Sequence, residues 1–211
     1  MKTTRAKSNL VVFLSALTLS GCSGKYEQVR FTSSEQSRYA AILASDRIRK
    51  DNFFKRDPAS PLTSDERKSF EHLSYFPPDF NLIFKVRLIQ NVKPGNTSIQ
   101  ATGGETRSAV RFGTFEFAVD GKPVRLTIYK MSEDASNELF LPFKDLTCGV
   151  DSYAGGRYLD LEENSSQEYV LDFNYCYNPY CSYNHGYSCP IVPEENRIDV
   201  SIPAGEKLLG K

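Results

Sequence analysis

From Phe80 onward the chain alternates apolar and polar residues in short runs, broken about every ten residues by turn formers. Phe80–Ile89 sets Leu82, Phe84, Val86 and Leu88 on one side and Lys85 and Arg87 on the other. A period of two fits a strand with one face in a core and the other in water. Thr114–Val119 turns Phe115, Phe117 and Val119 inward. Val124, Leu126 and Ile128 continue that face beyond Asp120-Gly121, a strong hairpin signal. Thr97–Thr102, Glu105–Phe112, Asn137–Phe143, Tyr153–Leu161, Glu168–Phe173 and Asn196–Ile202 are further strand candidates, and Pro94-Gly95 reads as a turn. The pattern predicts a mainly β domain, an antiparallel barrel or sandwich of about eight or nine short strands rather than βαβ units.

The preceding segment has a different texture. Thr32-Ser33-Ser34-Glu35 fits a capping box, and the run to about Lys55 carries Tyr39, Ile42, Leu43, Phe53 and Phe54 among charges. Asp57-Pro58 and Ser60-Pro61 break it. Thr63-Ser64-Asp65-Glu66 starts a second, short helix expected to end near Leu73, and Tyr75-Phe76-Pro77-Pro78 forces extension. Two N-terminal helices packed on the β body are therefore expected.

Met1–Cys22 reads as an export leader, with Lys2, Arg5 and Lys7 ahead of the apolar stretch Leu10–Leu19. That stretch is too short to span a bilayer as a mature helix. Leu19-Ser20-Gly21-Cys22 resembles the lipobox of bacterial lipoproteins, which implies acylation of Cys22 and a membrane as partner through that lipid anchor. Ser23 fits sorting to the outer membrane of a bacterial cell envelope. The expected division is a lipoprotein signal peptide over 1–21, a tether over 22–31 and one β-rich domain over 32–211. Loss of the leader takes the balance from 26 basic against 26 acidic residues to 23 against 26, a net charge of −3. With no basic run, nucleic acid is not an expected partner.

Leu171–Arg197 is a long aromatic segment between two strand candidates, holding three of the five cysteines and one of the two histidines. Cys176, Cys181, His185 and Cys189 have the ligand types of a zinc site, though not the spacing of a known knuckle. An exported chain favours disulfides instead, and a Cys181–Cys189 bridge would close a short loop. With no Gly-x-Ser-x-Gly and only His72 and His185, histidine-dependent catalysis is not expected. No cofactor is indicated.

Three groups of motifs carry a family resemblance. Asn52-Phe53-Phe54, Ser60-Pro61-Leu62 and Tyr75-Phe76-Pro77 come first. Phe115-Glu116-Phe117 with Asp120-Gly121, and Leu141-Pro142-Phe143-Lys144-Asp145 with Thr147, follow. Tyr153 to Asp160, Asp172-Phe173-Asn174, Tyr177-Asn178-Pro179, Cys181, Tyr183, Cys189-Pro190, Pro193 and Glu195-Asn196 complete the set. In this order they resemble the bacterial domain-of-unknown-function family 1684, from about Ser37 to Lys207. The resemblance implies no activity. Cys148 and Cys176 depart from the family pattern, which points to a second bridge between them. His185 departs from it too.

Asp145, Asp160, Asp172 and Glu195 fall within these shared motifs, and Arg157 lies among them. The leading expectation is a ligand- or protein-binding module at the envelope, its site formed by Arg157, Asp160, Asp172, Asn174, Tyr177, Asn178 and Glu195. A buried Arg157–carboxylate network is the structural alternative. A hydrolase of envelope material using paired carboxylates is the second functional reading, and a zinc sensor through the Cys/His loop the third.

Overall fold

The computed structural model describes residues 26–133 and 137–209, with the side chains of 91–94 excepted. The expected signal peptide, Cys22 and the first residues of the tether lie outside the described residues. In chain order the strands are β1 (Tyr26–Gln28), β2 (Ile83–Arg87), β3 (Ile89–Gln100), β4 (Thr106–Val119), β5 (Lys122–Met131), β6 (Glu138–Phe143), β7 (Arg157–Glu162) and β8 (Glu168–Asp172). They form a three-stranded sheet, β1-β2-β8, and a five-stranded meander, β3-β4-β5-β6-β7. All strand pairs are antiparallel.

The two sheets pack face to face. The inward residues of β2 and β8 (Phe84, Val86, Tyr169, Leu171) meet those of β4 to β6 (Phe115, Phe117, Leu126, Leu139, Leu141) in one buried cluster. Phe84 lies 4.9 Å from Phe117 between ring centroids, and Phe115 lies 5.3 Å from Tyr169. The arrangement is a sandwich; the sheets do not close into a barrel. The chain passes from one sheet to the other at Leu88, whose side chain stays in the core. At the tip of the β4–β5 hairpin Asp120 and Gly121 both take positive φ, 50° and 76°, as a two-residue turn matched to strand twist requires.

Three expectations about the strands need correction. Pro94-Gly95 is not a turn: β3 runs through it, and the register against β4 shifts between Gln90 and Gly95. β3 is an edge strand, and a bulge on an edge tolerates a residue without an N–H. Asn196–Ile202 forms no ladder strand. It runs extended beside the end of β6, bonded through Lys144 and Leu146, and buries Val200 and Ile202. Tyr26–Gln28, expected as tether, pairs with β2, and Val29 is buried.

Both expected helices form. α1 (Ser33–Arg56) and α2 (Ser64–Ser69) start at Thr32 and Thr63, each with a complete capping box to Glu35 and Glu66. α1 buries Tyr39 and Leu43 against Val29 and Ile83, and Phe54 against Leu62, Phe70 and Leu73. α2 stops before Leu73 because Phe70 and Leu73 turn into that cluster. Asp51 of α1 also takes the Leu73 N–H at 2.9 Å.

Candidate functional site

Arg157 opens β7 and is fully buried. Its guanidinium donates to Asp145 Oδ1 at 3.0 Å, Thr147 Oγ1 at 3.2 Å and the Ile202 carbonyl at 2.7 Å. It also reaches the carbonyls of Ala204 and Glu206. Asp145 in turn accepts the backbone N–H of Thr147 and of Ile202. This is the buried Arg–carboxylate network, and it fastens the C-terminal segment to the end of the five-stranded sheet. At Gly205, with φ +73°, a Cβ would stand 2.4 Å from Cys176 Sγ, so the segment approaches the 173–176 turn too closely for a side chain.

The other expected site residues do not share one open concavity with Arg157. Asp172 accepts from Tyr39 of α1 at 2.7 Å and from Asn174. Asn174 is buried and bonds both backbone groups of Asp79. Asn178, also buried, gives its backbone N–H to Glu206 Oε2 and its amide to the Lys207 carbonyl. Tyr177 donates to Asp160 at 2.7 Å and lies under Lys50. Glu195 is remote from these, held by Arg111 at 2.7 Å and by Tyr129 at 2.8 Å. Each carboxylate is turned to a protein partner, and none lines either of the two clefts described here. No pair of them is set across a cleft as glycan hydrolysis needs. Glu206, which sequence reasoning missed, takes Tyr183 OH at 2.7 Å and an ion pair with Lys50 of α1.

Burial pushes the Asp172 carboxyl up to about 6, although the bonds from Tyr39 and Asn174 work to lower it. Tyr39, Asp46, Arg47, Lys50 and Asp51 form a polar seam between α1 and the body. Tyr175 OH meets Asp46 at 2.8 Å, and Arg47 meets the Phe76 carbonyl at 3.1 Å.

The expected cysteine bridges are not formed: Cys148, Cys176, Cys181 and Cys189 are all free thiols. Cys176 is fully buried, donates to the Ala204 carbonyl at 3.3 Å and is pushed up to about 12 by burial. Cys148 bonds Asp145. Cys181 and Cys189 lie together, with the Cys181 N–H on Cys189 Sγ at 3.3 Å and the two thiols hydrogen-bonded. Among the described residues no three Cys, His, Asp or Glu groups converge on a metal position, so the Cys/His loop does not assemble as a zinc site.

One cleft remains with varied chemistry. It measures about 320 Å³ and is lined by Thr102, Gly103, Tyr153, Cys181, His185, Gly186, Tyr187 and Ser188. The 102–103 turn after β3 forms one wall, joined to the cysteine loop by Gly103 N–H on Ser188 Oγ at 2.9 Å. Tyr187 is braced edge-on by Tyr180 at 5.3 Å. Cys181, His185 and Tyr187 come from the segment singled out in sequence, and Tyr153 from the loop ahead of β7. Thr102 and Gly103 lie some eighty residues earlier, and no local spacing marks them. The second cleft, about 380 Å³, is bounded by Arg87, Leu88, Gln90, Ser166 and Gln167 and has no such convergence.

The chain is similar to an uncharacterized protein of Haloarcula marismortui whose structure was determined in solution by NMR. The two are 33% identical over 83% of this chain and 97% of that one, with a TM-score of 0.64. No curated protein matches. The family model described as a protein of unknown function, DUF1684, matches residues 68–207, from the end of α2 through the Arg157-bound C-terminal segment. The chain belongs to the DUF1684 family.

Proposed function

We propose that this chain is an envelope lipoprotein of a bacterium, anchored through Cys22, whose sandwich binds a small polar ligand in the Tyr153–Cys181–Tyr187 cleft. The observation that carries the reading is that cleft. Two tyrosines, an imidazole, two hydroxyls and a thiol converge on about 320 Å³, a volume at the small end for ligand sites. Tyrosine faces suit the flat apolar side of a sugar ring, and the hydroxyls suit its rim. No paired carboxylates face the space, which favours binding over hydrolysis.

Titration of the mature chain with soluble peptidoglycan fragments, followed through backbone amide NMR signals, tests this. The amides of 102–103, 153 and 181–188 are expected to move first. Tyr153→Ala and Tyr187→Ala are each expected to weaken binding about tenfold, or roughly 1.4 kcal/mol. Shifts confined to other surfaces, or unchanged affinity in both variants, would overturn the assignment.

A further inference from the structure

We propose that Cys181 and Cys189 form a reversible dithiol–disulfide couple that exchanges with disulfides entering the cleft, Cys181 attacking and Cys189 resolving. Cys181 lines the cleft directly, whereas Cys189 is not among its lining residues. Cys189 Sγ sits against the backbone of Cys181, and the loop backbone fixes both residues. Cys181 N–H points at Cys189 Sγ at 3.3 Å, and Cys189 N–H is held by Thr102 Oγ1 at 3.0 Å. Thr102 N–H takes the Cys189 carbonyl at 2.9 Å, so the resolving residue is clamped to the opposite wall. Tyr153 OH lies 3.9 Å from Cys181 Sγ. The Cys189 thiol hydrogen bond lowers the Cys181 thiol to about 6 against the pull of burial, with Tyr153 and Thr102 adding to it. A thiol lowered in this way is richer in thiolate and the better nucleophile of the two, while the same pairing and burial raise Cys189.

The step balances without a metal. Cys181 thiolate attacks one sulfur of a small or protein disulfide, forms a mixed disulfide and expels the other half as a thiolate. Cys189 then loses its proton to that leaving thiolate or to water and attacks Cys181 Sγ, which releases the second thiol. Two protein thiols are oxidised to one cystine, and one disulfide is reduced to two thiols. Cys148 and Cys176 stay outside the reaction. Their thiols are raised by burial, and Cys176 is sealed in the core.

The test uses the reduced mature chain and oxidised glutathione as the probe, with peptide mapping by mass spectrometry. The wild type should form the Cys181–Cys189 bridge and return to thiols in millimolar reduced glutathione. Cys189→Ser should accumulate a glutathione adduct on Cys181, on the order of tenfold more than Cys181→Ser accumulates on Cys189. Equal adducts in the two variants overturn the assignment of roles. A bridge that forms but resists reduced glutathione is a permanent staple and overturns exchange. Should a serine variant fold poorly, the wild-type mapping still decides, because bridging must be confined to this pair and reversible. A cleft that binds ligand yet exchanges no thiols leaves the binding reading intact and removes this one.

Discussion

Arg157 and Asp145 are both completely withdrawn from solvent, and each satisfies backbone groups of the C-terminal segment as well as the other. Removing one member therefore leaves a buried charge and bare backbone donors or acceptors. Asp145→Ala is expected to cost about 3–5 kcal/mol of unfolding free energy, measured by urea denaturation of the mature chain. Arg157→Met combined with Asp145→Leu should recover part of that loss and not all, because the N–H groups of Thr147 and Ile202 would still lack an acceptor. A cost below 1 kcal/mol for the single variant would mean the pair does not hold the segment. Sequence alone picked out both residues but could not choose between a ligand site and an internal pair. Alternation fixes which face a side chain takes, not what it meets there. Glu206 left no sequence signal at all, since it lies beyond the last strand-like run and acts only through chain folding.

α1 shows what caps and stripes can and cannot predict. Its start was legible because the Thr32–Glu35 box is local, and its end followed from Asp57-Pro58. That it docks was legible from the stripe of Tyr39, Leu43 and Phe54, which it buries; the polar contacts beside that stripe were not. Tyr39, Asp46, Arg47, Lys50 and Asp51 sit on partners drawn from distant stretches of chain. Asp172 is the most strongly raised carboxyl against that seam, and burial raises Asp51 within it as well. The Asp172 value of about 6 in the fold lies above the 3.8 of an unperturbed aspartate, so the native state holds the proton more tightly than the unfolded one. Its contribution to stability is complete below about pH 4 and is lost as pH rises through about 6. Glu35, Glu66 and Glu195, held below their ordinary value of 4.5, act in the opposite sense and at lower pH: their contribution is present above that value and is lost as pH falls through their lowered ones. The comparison of wild type with Asp172→Asn isolates the one group. Unfolding free energies in urea at pH 4, 5, 6 and 7 should diverge by up to about 1.4 kcal/mol per pH unit between 4 and 6, with the wild type losing ground. Parallel curves would show that Asp172 keeps an ordinary titration.

An antiparallel β body, barrel or sandwich, was legible from period-two alternation, because each inward face must find a second apolar layer; that the sheets stay open as a sandwich was not. The division into three and five strands was not, since Leu88 carries the chain between sheets without a turn residue. The same scale decides how the molecule would meet a membrane. β1 begins at Tyr26, four residues after Cys22. Four residues reach at most about 14 Å when extended. A lipid on Cys22 would therefore hold the β1 edge of the three-stranded sheet close to the bilayer surface. A net charge of −3 without the leader would give no electrostatic attraction to anionic lipid, so any membrane affinity would have to come from an acyl group on Cys22. Cys22→Ser is accordingly expected to move the protein from the membrane pellet to the soluble fraction of its host. Insertion of a fifteen-residue Gly/Ser spacer after residue 25 should leave it in the pellet while exposing the spacer to added protease, because the β1–β2 pairing begins only beyond that point. Retention of the serine variant in the pellet would place membrane attachment on the folded body instead of on Cys22.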